Sequence, residues 1–306
     1  MRSLIAITLL AIAAIAFAQR VDLSAPAVDH DMIHELNSDY RTTWEAGVNE
    51  VFVGKTLREI KDMLISRDFF EMDASIPEKR GFNLSLPESF HIDEKWPKCK
   101  HEIRDQARCG SCWAFAASEV LSDRFCIAGQ DAGVLSPQYL VSCDTSDYGC
   151  QGGYLSNSWA FLVKTGIPTD KCYPYTSAAG KVDACKKTCQ DGSEIKFYRA
   201  GNYYLTGSVQ KTMEDILKNG PVEAGFSVYQ DFIQYKKGVY QHRSGGLLGG
   251  HAVKVVGWGT EDNLDYWIVA NSWTTTWGEK GYFKIVRGRN ECNFEGQLIT
   301  GLPSKD

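Results

Sequence analysis

The chain has 306 residues and a net charge of −5. That length suits one large domain or two small ones, and the mild acidity gives no basis for a general affinity for nucleic acid. Hydrophobic residues make up 43% of the chain, enough for a substantial core, and no stretch beyond the N-terminus reaches transmembrane length.

The first 18 residues stand apart. Arg2 supplies a short basic start, Leu4 to Phe17 is apolar but for Thr8, and Ala16-Phe17-Ala18 fits the small-x-small cleavage rule. The run is too short to span a bilayer. Residues 1–18 therefore read as a secretory signal peptide. In the oxidising compartment this implies, an even set of cysteines usually means disulfides, and all ten cysteines lie between Cys99 and Cys292.

Residues 19–85 carry 13 acidic and 8 basic residues, so the chain's negative charge is concentrated there. Met32, Ile33 and Leu36 share one helical face, and Leu57, Ile60, Lys61 and Leu64 another. Asn83-Leu84-Ser85 is a glycosylation sequon. The segment reads as a removable propeptide, with an ordinary N-terminal subdomain as the alternative.

From Cys99 to about Thr188 the signals are helix and loop. Trp113, Ala117, Val120 and Leu121 form one face of a helix, with Ser118, Glu119, Ser122, Asp123 and Arg124 covering the other side and Gly129 as C-cap. Cys112 falls in its first turn, where unpaired N–H groups and the macrodipole favour thiolate over thiol. Ser136-Pro137 opens a second helix, and Trp159, Leu162 and Val163 mark a third that stops at Gly166. Cys150-Gln151-Gly152-Gly153-Tyr154 is a tight turn that lets backbone approach a ligand closely.

From about Ile195 the pattern turns to strands over Val222–Tyr229, Gly238–Gln241, His251–Trp258, Tyr266–Ala270 and Tyr282–Val286. One helix interrupts, capped by Ser208 and ended by Gly220-Pro221. A helical half followed by a β half is α+β.

The chemistry starts at Cys112. A cysteine nucleophile needs a base, and there are six histidines. His30 and His34 lie in the presumed propeptide. His91, His101 and His242 read as solvated bystanders. His251 stands at the mouth of an apolar strand below Gly249 and Gly250. Alone it would pass for a half-buried strand histidine, but Asn271 ends the next strand 20 residues later. Its amide can fix the imidazole tautomer, with Trp273 sheltering the bond. Trp273 and Trp277 are also plausible core residues. Gln106 can join the Cys112 N–H as an oxyanion hole. Cys109 and Cys112 also form a C-x-x-C pair, which suits a thiol–disulfide oxidoreductase or, with Cys185 and Cys189, a zinc module. A catalytically dead relative acting as a binding protein is a third alternative.

Gln106-x5-Cys112-Trp113, Gly250-His251-Ala252 and Asn271-Ser272-Trp273 at these spacings resemble the papain-like cysteine proteases. The cathepsin B branch is the most similar, through Trp44-Glu45-Ala46-Gly47, Ile103-Arg104-Asp105-Gln106 and Asn219-Gly220-Pro221-Val222-Glu223. The resemblance implies a two-lobed fold, with a helical left lobe, an antiparallel β-barrel-like right lobe and the active cleft between them. It implies a cysteine-type endopeptidase over residues 86–306 with no metal and no cofactor. Cys112 is then nucleophile, His251 base, Asn271 its orienting partner and Gln106 the oxyanion-hole amide. Gly152 and Gly153 would pair with substrate backbone, and Leu155, Gly225, Gly250, Ala252, Trp273 and Gln297 would line the substrate cleft. The implied disulfides are Cys99–Cys126, Cys109–Cys150, Cys143–Cys185 and Cys172–Cys189, leaving Cys112 and Cys292 free. The propeptide would lie along the cleft in the reverse of the substrate direction. Implied partners are protein or peptide substrates, the chain's own propeptide and cystatin-type inhibitors, and implied settings are a lysosome-like vesicle or the extracellular space, as a monomer.

Two departures stand out. Cathepsin B has an occluding loop with a His pair that anchors a substrate's C-terminal carboxylate, whereas here 12 residues without His separate Cys172 from Cys185. Where cathepsin B has an acidic residue at the base of the S2 pocket, this chain has Gln297, with Glu295 two residues away. Substrates with Leu, Val or Phe at P2 are therefore expected to beat those with Arg.

Overall fold

The structure, a computed structural model, describes residues 21–70, 75–130 and 132–305. The expected signal peptide lies outside the described residues. The N-terminal segment begins with α1 (His30–Ser38), whose N-cap Asp29 accepts from the Met32 N–H and which buries Met32 and Leu36. It continues through β1 (Trp44–Ala46) and α2 (Leu57–Lys61), the latter opened by a Thr56/Glu59 capping box. β2 (Phe90–His91) and α3 (Ile92–Lys95) follow.

The helical lobe holds α4 (Cys112–Ile127), α5 (Pro137–Cys143) and α6 (Leu155–Lys164). Ser136 caps α5 by accepting from the Tyr139 N–H. The β lobe holds β3 (Ala200–Leu205), α7 (Val209–Asn219), β4 (Val222–Tyr229), β5 (Tyr235–Tyr240), β6 (Leu247–Glu261), β7 (Leu264–Ala270), β8 (Tyr282–Val286) and β9 (Leu298–Pro303).

Among the described residues the strands run β1-β5-β8-β7-β6-β4-β9-β3, with β2 joined to β6. This sheet is open rather than barrel-like, and β5 pairs with β8 in parallel. β1 of the N-terminal segment pairs with β5 and covers that edge. At the other end β3 is the outermost strand, paired with β9, and Trp159 of α6 packs on the face of β9 at Gly301.

Two cores flank the cleft. One packs Phe226, Phe232, Tyr235, Trp273, Trp277 and Phe283 of the β lobe, and the other packs Trp113, Leu121, Leu140, Leu155 and Trp159 around α4. The N-terminal segment contributes to both: Met32, Trp44, Phe52 and Ile60 to the first, Ile65 and Phe70 to the second. It therefore bridges the lobes across the cleft.

Helix α4 departs from its expected two-faced character, since every residue from Cys112 to Phe125 is buried. Its polar side faces the β lobe instead of water. Arg124 donates to Asp215 Oδ1 (2.7 Å), to the carbonyls of Pro221 (2.7 Å), Gly220 (3.1 Å) and Gly301 (3.2 Å), and to Tyr204 Oη (3.2 Å). Lys254 of β6 pairs with Asp123 at 2.8 Å and Glu119 at 3.5 Å. A sequence periodicity cannot tell water from a second lobe with matching charges. Removing one partner of such a network leaves buried groups uncompensated, so Arg124→Ala is expected to cost about 3–5 kcal/mol. Urea unfolding of the full chain, made without Cys112 to prevent self-cleavage, reads this directly; an unchanged midpoint would contradict the assignment.

Candidate active site

The site is assembled at the start of α4. Ala107 adopts a left-handed φ of 52°, its N–H held by Asp105 Oδ1 at 2.8 Å, and this turn swings Gln106 inward. Gln106 is fully buried. Its Oε1 accepts from Ser272 Oγ (2.7 Å), and its Nε2 donates to the carbonyls of Cys109 (2.9 Å) and Met63 (2.7 Å). Its backbone N–H reaches the Ser272 carbonyl at 3.0 Å. Ser111, the N-cap of α4, makes no side-chain cap; its Oγ meets Tyr175 Oη at 2.9 Å, and Tyr175 donates to the Gln106 carbonyl at 2.8 Å.

His251 lies opposite Phe226 in the β4–β6 ladder. Its Nε2 is 2.7 Å from Asn271 Oδ1. The same oxygen accepts the Ser272 backbone N–H at 2.8 Å. A backbone N–H can only donate, so the amide orientation is fixed and Nε2 must carry the proton. Nδ1 is left with its lone pair, buried and without a hydrogen-bond partner. Trp273 stacks on the imidazole, ring centroids 4.5 Å apart. This arrangement presents a neutral base.

Burial sets the charge state of both reactive groups. It pushes the Cys112 thiol up to about 12, against the N–H groups of Ala252 and Trp113, which favour thiolate. It pushes His251 down to about 4, against the Asn271 bond. The helix-start preference for thiolate is thus outweighed while the cleft is covered.

The cover is the N-terminal segment. The Ile65 N–H donates to the Gly250 carbonyl at 2.9 Å and the Gly250 N–H returns to the Ile65 carbonyl at 2.7 Å. Phe70 fills the space above Gly225 and Gly250: a Cβ on either would lie 2.7 or 2.6 Å from its ring. Leu155 Cδ1 bounds the same space, 3.2 Å from that Gly225 position, and Ala252 belongs to the same apolar cluster. Phe69 lies over Gly152, whose φ is 117°, and packs against Tyr148 and Tyr154 at centroid distances of 5.5 and 4.9 Å. Gly153 is pressed between Trp113 and Asp147.

Gln297 adjoins this pocket through its carbonyl, which accepts from the Gly225 N–H at 3.4 Å, while its Oε1 is buried without a partner. Glu295 is committed elsewhere, accepting from Trp267 Nε1 (3.0 Å) and the N–H groups of Gly288 (2.6 Å) and Asn290 (2.8 Å). Sequence reasoning passed over Glu223. It is wholly buried, accepts from Trp159 Nε1 at 2.7 Å, and burial holds its carboxyl well above the usual range. A single acidic residue in the apolar run Val222–Tyr229 was its available signal. Ser272 and Tyr175 clamp Gln106; Ser272 lies in the Asn-Ser-Trp motif, while Tyr175 carried no signal.

The disulfides are Cys99–Cys126, Cys109–Cys150, Cys143–Cys185 and Cys172–Cys189, with Cys112 and Cys292 free. Cys109 is therefore unavailable to a C-x-x-C redox pair with Cys112, and three of the four zinc candidates are already bonded. The other histidines are not solvated bystanders. His101 Nδ1 is 2.6 Å from Asp123, His242 stacks on Tyr229 at 3.8 Å and meets Asp231, and His91 Nδ1 caps α3.

Residues 86–302 match the papain family of cysteine proteases, and the chain belongs to that family. It is a cathepsin B-like cysteine peptidase. The chain is 42% identical to cathepsin B-like CP3 of Giardia intestinalis, over 91% of this chain and 95% of that one. It is 38% identical to a cathepsin B-like cysteine proteinase of Schistosoma japonicum, over 89% and 90%. Its fold superposes on proCathepsin B S9 from Trypanosoma congolense with a TM-score of 0.85 at 35% identity, covering 92% of this chain and all of that one.

The covered arrangement has a definite pH signature. While covered, burial keeps the His251 imidazole neutral down to about 4 instead of its ordinary 6.5, and keeps Cys112 a thiol throughout the neutral range. In the full chain the His251 ring resonances should therefore titrate near 4. A midpoint at 6.5 or above would contradict this.

Proposed function

We propose that the chain is the zymogen of a secretory-pathway cysteine endopeptidase, with residues 1–18 a signal peptide, 19–85 a removable inhibitory propeptide and 86–306 the catalytic domain. The observation that carries the reading is His251, held in one tautomer by Asn271 with its Nδ1 unengaged, together with a free Cys112 at a helix start. Once the segment leaves, water enters and the proton moves from Cys112 to His251, giving a thiolate–imidazolium pair. The thiolate attacks the scissile carbonyl. Its oxygen takes the negative charge and is held by Gln106 Nε2, in the place now taken by the Met63 carbonyl, and by the Cys112 N–H. The imidazolium gives its proton to the leaving amine as the C–N bond breaks. Water, deprotonated by His251, then splits the acyl-enzyme thioester and regenerates the thiol. Asn271 orients the base without reacting.

The segment reaches Gln106 with Met63, Gly250 with Ile65 and the Gly225 pocket with Phe70, in that order along the chain. A substrate of this family runs the other way, so the segment can fill the cleft without offering a cleavable bond. Its carboxylates contribute little. Among the described residues, only Glu45 with Lys237 and Glu78 with Lys211 pair with basic groups beyond residue 85, and both pairs are solvent-exposed. Substrates are proteins and peptides, inhibitors of cystatin type would compete for the opened cleft, and the site of action is a lysosome-like vesicle or the extracellular space.

Cys112→Ala is expected to abolish peptide hydrolysis with folding intact, and Asn271→Ala to weaken it; normal turnover by the Cys112 variant would sink the proposal.

Phe70 in a pocket walled by Leu155 and Ala252 is a ready picture of an apolar P2 side chain. An Arg there would lose solvation at a cost of several kcal/mol without a paired anion, and Gln297 supplies none. A P2 library should favour Leu, Val or Phe over Arg, and Gln297→Glu should raise kcat/KM for Arg above the pH where the new carboxylate ionises. A wild-type preference for Arg over Leu would overturn this.

A further inference from the structure

A cavity of about 630 Å³ lies between the N-terminal segment and the catalytic domain, on the side of the reacting centre away from Phe70. The geometry defines which side this is. Met63 meets Gln106, the Leu64 carbonyl comes within 3.0 Å of a Cβ placed on Gly110, and residues 58–62 continue outward from there. In the opened enzyme this region takes residues that follow the scissile bond. The loop between Cys172 and Cys185 is too short to fill it.

The catalytic domain's wall of this cavity is formed by Arg108, Cys150, Gln151, Ala179 and Gly180. Arg108 is its one charged member. Its backbone is pinned: the N–H donates to the Ala178 carbonyl at 3.1 Å, Gly180 passes so close that a Cβ would lie 2.9 Å from the Arg108 carbonyl, and the neighbouring Cys109 is tied to Cys150. The residue is exposed, and its charge reaches Glu59 across the cavity. Across from it the segment presents two carboxylates, Glu59 and Asp62, among the cations Arg58 and Lys61. Glu59 is held below the usual range by the Thr56 N–H and hydroxyl, helped by Lys55 and Arg108.

We infer that Arg108 is a specificity-determining residue of the opened cleft, selecting substrates that carry a carboxylate shortly after the scissile bond. This rests on the peptidase reading above. Glu59 and Asp62 occupy, in the covered state, the region where that carboxylate binds. The contact is solvent-exposed, which limits its strength and makes it sensitive to salt.

The test is cleavage of fluorogenic peptides with one apolar P2 residue and Glu, Gln or Lys at P1′, P2′ or P3′, each as amide and as free acid. An exposed ion pair predicts that Glu beats Lys by about three- to tenfold in kcat/KM at one primed position, and that high salt erodes the ratio. Arg108→Gln should flatten it, Arg108→Lys restore most of it and Arg108→Glu reverse it, each read as the Glu-to-Lys ratio within one variant. Discrimination among amides identifies a side-chain carboxylate. Discrimination confined to free acids, and lost in Arg108→Gln, identifies the terminal carboxylate instead and would count against the endopeptidase assignment. Equal cleavage of Glu, Gln and Lys peptides, or a preference unmoved by Arg108→Glu, overturns the inference while leaving the peptidase reading intact. Absence of Cys112-dependent cleavage of every peptide would bring down both.

Discussion

The reciprocal backbone pair between Ile65 and Gly250 places a dry segment directly over Cys112 and His251, and the rest of the site's behaviour depends on that contact. With water excluded, neither the thiolate nor the imidazolium is favoured, although the helix start, the Ala252 N–H and the Asn271 amide are all arranged to support the charged forms. The covered chain holds Cys112 and His251 uncharged. Ser272 fixes Asn271 through its backbone and Gln106 through its hydroxyl, so one residue orients both side chains. Under the proposed mechanism, activation then requires a change of solvent and charge with little rearrangement of these groups.

The segment is bound chiefly by packing. Trp44, Phe52 and Ile60 enter one core and Ile65 and Phe70 the other, so its removal exposes apolar surface on both lobes. The lobes stay joined without it, because Arg124, Asp215, Lys254, Asp123 and Glu119 form buried pairs that lie within the catalytic domain.

Much of this was legible in the sequence, for identifiable reasons. Asn-Ser-Trp follows directly on the end of β7, and the helix caps at Ser136 and Ser208 are local chemistry; Gly-His-Ala lies inside β6 and not at its mouth, because that strand already begins at Leu247. What could not be read was set by partners far along the chain. The polar side of α4 looked solvent-facing because Asp215 and Lys254, which satisfy it, lie about 90 and 130 residues away. His101 and His242 looked solvated although their partners Asp123 and Asp231 are only 22 and 11 residues away, because loop and turn geometry, not periodicity, brings them together. The open sheet was hidden because closure depends on which strands pair across the chain, here β1 of the N-terminal segment with β5. Gln297 was placed at the pocket with Glu295 as its rival, since a register shift of two residues exchanges them; in the structure Glu295 is committed to Trp267, Gly288 and Asn290.

The central claim is that the same cysteine is an unreactive thiol under the segment and a thiolate once it is gone. The rate of Cys112 alkylation by iodoacetamide, followed against pH for the full chain and for the chain cleaved near residue 85, measures this directly. The account predicts negligible alkylation of the full chain at neutral pH, and rapid alkylation of the cleaved enzyme that persists well below the ordinary thiol pKa. Equal rates for the two forms, or a cleaved enzyme whose reactivity rises only near pH 9, would contradict it.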